Sequence, residues 1–168
     1  MSASGDHERV RTQRQLHEVI VRQLKPSDRE EWLRLLAQLY ATTSEADHVA
    51  SVDAFIARVQ HEELLPSAVF VTERPEGGLC GFLELSVRNY AEGCTGETPY
   101  IESWFVDVDY RGRAVGRALV EAAENWARER GHTELASDTE LDNTASQSAH
   151  RALGFEEVER TVHFRKSL

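Results

Sequence analysis

The order of predicted elements indicates a single α/β domain in which helices cover a mixed sheet. Residues 68–73 and 81–88 are apolar, strand-like segments joined by a Pro-Glu-Gly-Gly turn at 75–78, which is typical of a hairpin. A further strand, residues 100–107, runs through an arginine- and glycine-rich turn into a strongly amphipathic helix, residues 114–130. Strands that alternate with helices in this way predict one sheet with helices packed against it.

The remaining elements are predicted from apolar periodicity and from the residues that start or stop each segment. Ser27 and Glu30 have the spacing of a capping box, so a helix is expected to follow the first strand. Asp142 or Asn143 is expected to cap the last helix, and Gly154 to end it. Further strands are expected at residues 19–24 and 133–137, with one or two closing strands within residues 155–165.

Length, charge and cysteine content favour one soluble domain. The net charge of −10 argues against a nucleic-acid partner, and no apolar run approaches the roughly 20 residues that cross a bilayer, so no membrane is expected. Cys80 and Cys94 are too few for a disulfide framework, and no metal-ligand spacing is present, so we expect a cytoplasmic protein without a metal. Residues 1–18 are polar and are expected to form a disordered leader before a single domain at residues 19–168.

The turn before the long helix predicts a site for a pyrophosphate group. It reads Arg111-Gly112-Arg113-Ala114-Val115-Gly116-Arg117. Small residues let the backbone approach a ligand closely, and the free N–H groups at the start of a helix attract phosphate. The strand that leads into this turn also carries a carboxylate, Glu102.

The element order and two motifs resemble the GNAT superfamily of N-acetyltransferases over residues 19–168. The superfamily's turn pattern, Gln/Arg-x-x-Gly-x-Gly/Ala, stands here with Ala114 in place of the first glycine. Since alanine permits close approach where φ is negative, we expect binding to be weakened at worst. The second signature stands as Asn143, His150 and Leu153-Gly154-Phe155, with His150 replacing the tyrosine that protonates the coenzyme A thiolate in many relatives.

This resemblance implies a mixed, mostly antiparallel sheet that holds acetyl-CoA in a V-shaped split between the fourth and fifth strands. The backbone of Trp104, Phe105 and Val106 would pair with the pantetheine arm. Residues 111–117 would hold the pyrophosphate, and Asn143 would hydrogen-bond the pantetheine region.

A more specific resemblance is to the bacterial aminoglycoside 6′-N-acetyltransferases, which confer antibiotic resistance. It rests on Ala136-Ser137-Asp138 followed by Leu141-Asp142-Asn143, on residues 157–160, and on Tyr40 with the loop that contains His48. The resemblance implies direct transfer of acetyl to an amine of an aminoglycoside by a homodimeric enzyme. It also implies that the substrate-binding residues are Tyr40, His48, Tyr90, Glu102, Asp138 and Glu159.

The chemistry of amine acetylation needs a carboxylate close to the amine. An amine with a pKa of about 10.4 is almost fully protonated at pH 7, so a base must bind the ammonium and take its proton. Glu102 is one candidate, since strand alternation predicts that Tyr100, Glu102, Trp104 and Val106 share a face where burial raises the carboxyl pKa. Asp138, at the end of the next strand, is the other, and the sequence does not decide between them.

Other acids and other functions remain open. Glu84 is as readily structural as substrate-facing, and Asp142 fits a helix cap better than a ligand. If Glu84, Glu102, Asp138 and Glu159 converge, the site suits a polycation. An alternative function is acetylation of another small polyamine or a peptide N-terminus, and a further alternative is a non-catalytic acyl-CoA-binding regulator.

Overall fold

The computed structural model describes residues 19–60 and 67–168, which form a five-stranded sheet with helices on both faces. The predicted leader, residues 1–18, lies outside the described residues. The strands are β1 (Val21–Gln23), β2 (Ser67–Glu73), β3 (Leu79–Arg88), β4 (Thr98–Val106) and β5 (Ala136–Ser137). The helices are α1 (Arg29–Leu39), α2 (Glu45–Gln60), α3 (Val115–Glu129) and α4 (Thr144–Ala152), with short 3-10 turns at Pro26–Asp28 and Val108–Tyr110.

The sheet confirms the predicted fold class. Its strand order is β1-β2-β3-β4-β5; the first three pairs are antiparallel, and β4 and β5 are parallel. One apolar core lies between the sheet and the buried face of α3, which includes Leu119 and Ala123. A second core on the opposite face joins Trp32 and Leu35 of α1 to Val52 of α2. Across residues 19–60 and 67–168, none of the helices has the length and apolarity needed to traverse a membrane.

The prediction for the C-terminal part of the chain was wrong in two respects. Residues 155–168, which we call the C-terminal arm, form no strand in the described chain, and β5 is shorter than the predicted 133–137. The arm has the alternating pattern of a strand, but Val158, Val162 and Phe164 are 63%, 67% and 94% exposed. A strand needs a hydrogen-bonding partner, and the described chain supplies none for the arm.

A β-bulge at Glu102 breaks the alternation predicted for β4. The register passes from Glu84 opposite Ser103 to Leu85 opposite Ile101, so Glu102 is the extra residue. Trp104 and Val106 consequently pack with the α3 core, whereas Glu102 turns toward the α1 face, where it meets side chains of β3. The prediction that Tyr100, Glu102, Trp104 and Val106 share one face was therefore wrong, because a bulge shifts the alternation by one residue.

Candidate active site

A split between β4 and β5 is the central feature of the candidate site. The two strands pair only at Tyr100 with Ala136 and at Ile101 with Ser137, while β4 continues to Val106. Along residues 102–106, the edge of β4 that faces away from β3 therefore has no strand partner in the described chain. Such an edge can take an extended ligand as an added strand.

The turn between β4 and α3 lies at the wide end of this split. Gly112 and Ala114 both have positive φ, of 70° and 65°, and Ala114 is the only non-glycine residue with positive φ in the described ranges. The expectation of a negative φ at Ala114 was wrong: this position favours glycine, and alanine there carries backbone strain. Gly116 has a different role, because a Cβ there would lie 3.0 Å from Cζ2 of Trp104.

The three arginines of the turn differ in their contacts. Arg111 donates from Nε to the Val106 carbonyl oxygen at 2.9 Å, which fastens the turn to the end of β4. Arg113 stacks over Tyr110, and Arg117 reaches the Ala152 carbonyl oxygen at 3.4 Å. The turn thus surrounds the N-terminus of α3 with positive charge, which suits a pyrophosphate.

The side chains of Trp104 and His150 pack together beside the narrow end of the split. The Trp104 indole N–H is buried and has no hydrogen-bond partner within the described residues. His150 packs edge-on against the Trp104 ring, donates from Nδ1 to the Ser146 carbonyl oxygen at 2.8 Å and meets the Ser137 hydroxyl through Nε2 at 2.9 Å. The imidazole that replaces tyrosine thus connects α4 to β5 across the narrow end of the split.

Asn143, rather than Asp142, caps α4. Its side-chain oxygen accepts from the Ser146 N–H at 3.0 Å. This bond satisfies one of the free N–H groups at the start of the helix. The side-chain amide N–H groups and the second lone pair of this oxygen are left for the predicted contact of Asn143 with the pantetheine region.

Glu102 is held in a charged, hydrogen-bonded environment on the bulge. Arg88 donates from Nε to Oε1 at 2.9 Å and from Nη2 to Oε2 at 2.6 Å, and the Ser86 hydroxyl also donates to Oε1. Partial burial raises the pKa of the Glu102 carboxyl, but the bonds from Arg88 and Ser86 outweigh it and leave that pKa below its usual value. The expectation of a raised pKa for Glu102 was therefore wrong, because the sequence did not reveal that Arg88 pairs with this carboxylate.

Glu84 lies beside Glu102 on the neighbouring strand, and its pKa is shifted in the opposite direction. Burial raises the pKa of the Glu84 carboxyl, a hydrogen bond with Ser103 opposes the rise, and the negative charge of Glu102 adds to it. Tyr40 completes this side of the site, since its hydroxyl lies 2.7 Å from the Ser103 hydroxyl and donates to the Glu102 carbonyl oxygen at 3.3 Å. Tyr40 therefore supports the bulge from the end of α1.

Asp138 lies on a separate wall, at the end of β5. A cavity of about 350 Å³ extends between β5 and the C-terminal arm, and its lining includes Arg88, Tyr100, Asp138 and Glu159. Burial raises the pKa of the Tyr100 phenol, and the nearby Asp138 carboxylate raises it further. Within the described chain, Asp138 has no salt-bridge partner, in contrast to Glu102.

The other predicted substrate contacts are more scattered. His48 is buried, and its Nε2 lies 3.3 Å from the Tyr40 carbonyl oxygen, so the two residues are in direct contact. Tyr90 is highly exposed and does not line the cavity. In the ranges 19–60 and 67–168, no group of three His, Cys, Asp or Glu side chains is arranged to hold a metal ion.

Arg88 is the residue of this site that sequence reasoning missed. Phe82, Glu84, Ser86 and Arg88 alternate along β3, so the sequence placed Arg88 on the face of Glu84. It gave no indication that Glu102 of β4 would turn to the same face, because the bulge that reorients it depends on the pairing of β3 with β4.

Comparisons with known proteins agree with this geometry. Residues 29–155 match the model of the acetyltransferase (GNAT) family. An aminoglycoside N(6′)-acetyltransferase type 1 from Klebsiella aerogenes is 42% identical over 150 residues, which is 89% of this chain and 97% of the relative. A protein of the same name from Stenotrophomonas maltophilia is 34% identical over 88% of this chain and 93% of its own length.

Solved structures give the same result for the fold. The structure of AAC(6′)-Iy in complex with the bisubstrate analog CoA-S-monomethyl-acetylneamine matches with a TM-score of 0.80 at 32% identity, covering 90% of this chain and all of that one. The aminoglycoside 6′-N-acetyltransferase AAC(6′)-Ih from Acinetobacter baumannii matches with a TM-score of 0.79 at 28% identity, covering 90% of this chain and 99% of that one.

Proposed function

The chain belongs to the acetyltransferase (GNAT) family, within it to the aminoglycoside N(6′)-acetyltransferases, and we propose that it acetylates the 6′-amine of an aminoglycoside antibiotic. The observation that carries this proposal is the arrangement of charge around the split. An arginine turn lies at its wide end, and the carboxylates Glu84, Glu102 and Asp138 lie beside its narrow end. An anionic donor and a cationic acceptor would therefore meet at β4.

The donor half is acetyl-CoA, which supplies the acetyl group as a thioester. The open edge of Trp104, Phe105 and Val106 pairs with the pantetheine amides, and the N–H groups at the start of α3 with the arginines from Arg111 to Arg117 hold the pyrophosphate.

The acceptor half divides its work between two carboxylates. We assign ammonium binding to Glu102, since the charged groups around it keep it ionised. We assign proton removal to Asp138, because it lines the cavity and is not held in an ion pair. Removing the proton frees the nitrogen lone pair to attack the thioester carbonyl; the C–S bond would then break, and coenzyme A would leave as a thiolate that takes up a proton. The amide product no longer carries the positive charge of that amine.

Acceptor profiling tests this function. The purified protein is given acetyl-CoA with kanamycin, spermidine or a peptide with a free N-terminus, release of the coenzyme A thiol is followed, and the acetylated position is mapped by NMR. We expect rapid turnover of kanamycin with acetylation at the 6′ nitrogen. Preference for spermidine or the peptide would favour the other amine acceptors, and coenzyme A binding without turnover would favour a regulator.

The C-terminal arm supports a further proposal, that the enzyme is a homodimer. An antiparallel pair of arms centred on Thr161 sets Glu156 against Lys166, Glu157 against Arg165 and Val158 against Phe164. Pairing of two copies would thus cover the exposed apolar side chains and match acids with bases. Light scattering of the wild type should give twice the mass of one chain, and Phe164→Glu should reduce the measured mass to that of one chain. A wild-type monomer would contradict the pairing.

The donor also suggests where the protein acts. Acetyl-CoA is a cytoplasmic metabolite in bacteria, and the two cysteines of the chain are free thiols, as expected in a reducing compartment. We therefore place the reaction in the cytoplasm, where it would inactivate an aminoglycoside that has entered the cell. Fractionation of cells that produce the protein should recover the acetyltransferase activity there.

A further inference from the structure

Arg88 holds the carboxylate to which we assign the acceptor ammonium. Its two bonds, from Nε and Nη2, use both oxygens of Glu102, in the parallel geometry that makes arginine–carboxylate pairs strong. Its guanidinium carbon also lies 3.5 Å from the centre of the Tyr100 ring. Glu102 therefore already has a cation at the position where an acceptor ammonium would bind.

The Arg88 side chain also faces the cavity. Together with Tyr100 and Asp138 it forms part of the cavity lining. The pKa of its guanidinium is raised first by the hydrogen bonds to Glu102 and, to a smaller extent, by the charge of Asp138. Arg88 thus lies between the two carboxylates that the proposed mechanism uses.

The two partners of this ion pair differ in freedom to move. Glu102 is fixed by the bulge, by the Ser86 hydroxyl and by Tyr40 at its carbonyl oxygen. Arg88 is the last residue of β3, and its side chain is 42% exposed. The guanidinium can therefore move into solvent without any change in the sheet, although it would also lose its stacking on Tyr100.

We propose that Arg88 sets the affinity of the acceptor site, because its guanidinium is a resident cation that the acceptor ammonium must displace from Glu102. The proposal rests on the proposed function in taking Glu102 as the ammonium-binding group. The exchange replaces one cation by another, so Glu102 is not left uncompensated beside Glu84. Part of the acceptor's binding free energy is consequently spent on displacing Arg88, and a lost arginine should tighten acceptor binding.

The test replaces Arg88 by a neutral side chain and separates binding from chemistry. For Arg88→Gln we expect the KM for kanamycin to fall about 5-fold, the effect of removing one partly exposed ion pair, with kcat changed much less. Arg88→Lys keeps the charge but loses the two parallel bonds, and its KM should lie between those of Arg88→Gln and the wild type. The matched control is Arg128→Gln, which removes an equally charged side chain from the exposed face of α3 and should leave KM unchanged.

Other outcomes of the same experiment would contradict the displacement of Arg88. An unchanged or higher KM in Arg88→Gln, with an unaltered circular dichroism spectrum, would show that Arg88 is structural or itself binds the acceptor. If Arg88→Gln does not fold, Arg88→Lys decides, since a KM at or above the wild-type value contradicts displacement. If the wild type does not acetylate kanamycin, the proposed function fails by itself, and calorimetric binding of spermidine to the wild type and Arg88→Gln still tests the exchange.

Discussion

Two carboxylates of the same β4 region are held by arginines, yet they have different environments. Asp107, just after β4, has a nearly buried side chain that bonds to both Arg34 and Arg74. Arg34 is fixed further by the Leu79 carbonyl oxygen at 2.7 Å and by Glu31. Glu102, in the middle of β4, has a single arginine, and that arginine is 42% exposed beside a cavity.

The difference shows how similar chemistry serves two purposes. Around Asp107 two arginines share one carboxylate and bond to both of its oxygens, so the cluster joins α1, the residue after β2 and the end of β4. Around Glu102 the carboxylate is paired with one arginine, which also stacks over Tyr100, so exchange with a ligand ammonium would displace a single cation. Variants of the closed cluster, which consists of Asp107, Arg34 and Arg74, should therefore change stability. Variants of the open site, which consists of Glu102, Arg88 and Asp138, should change catalysis.

The largest effect should come from the base of the open site. Asp138→Asn preserves size and hydrogen bonding but cannot accept the proton of the amine, so kcat should fall by at least about 100-fold with little change in Tm. Steady-state kinetics with kanamycin and thermal unfolding measure the two quantities. Asp142→Asn is the matched control, because Asp142 lies outside the cavity lining and should keep wild-type kcat. A comparable loss in Glu102→Gln, but not in Asp138→Asn, would reverse our assignment of the base.

A substitution in the closed cluster should lower the free energy of unfolding. Asp107→Asn leaves Arg34 and Arg74 without their shared counter-charge, and the free energy of unfolding should fall by about 2 kcal/mol, less than for a fully buried pair because both arginines are partly exposed. Urea titration at pH 7 measures this loss. For protein that remains folded, kcat should stay near the wild-type value; a large loss of kcat would place Asp107 in the active site instead.

The pH dependence of the same variant sharpens the distinction. Burial alone raises the pKa of the Asp107 carboxyl, but the hydrogen bonds from Arg34 and Arg74 outweigh it and lower that pKa in the folded state. The ion pairs therefore stabilise the fold fully above the unfolded-state pKa of about 3.9, and this contribution is lost as the pH falls through the folded-state value. The difference between wild type and Asp107→Asn should shrink from pH 7 to pH 3; a constant difference would mean that charge is not its cause.

The smallest effect should come from a residue outside both clusters. Ala114→Gly relieves the positive φ of the cofactor turn and should raise the free energy of unfolding by about 1 kcal/mol. Urea titration measures the gain, and Ala118→Gly, on α3 with ordinary helical backbone, should be destabilising by contrast. Destabilisation by Ala114→Gly would show that the alanine methyl group is needed where it stands.

The fold and the turn that precedes α3 were largely predictable, since their signals are local. The hairpin turn at residues 75–78, the amphipathic pattern of α3 and the small-residue turn from Arg111 to Arg117 can each be recognised within a few neighbouring residues. The acceptor half was less predictable. Of the four carboxylates considered together, Asp138 and Glu159 line one cavity, whereas Glu84 and Glu102 are outside its lining. The arginine partner of Glu102 depends on strand register.

By itself the sequence determined the element order, the arginine turn and the carboxylate-bearing strand, because side-chain period, turn residues and helix starts are properties of adjacent residues. Only the tertiary structure decided the bulge at Glu102, the positive φ of Ala114 and the ion pair with Arg88. Each of these depends on how β4 pairs with β3 or enters α3. Such pairing joins residues far apart in the chain, and no local pattern specifies the conformation that results.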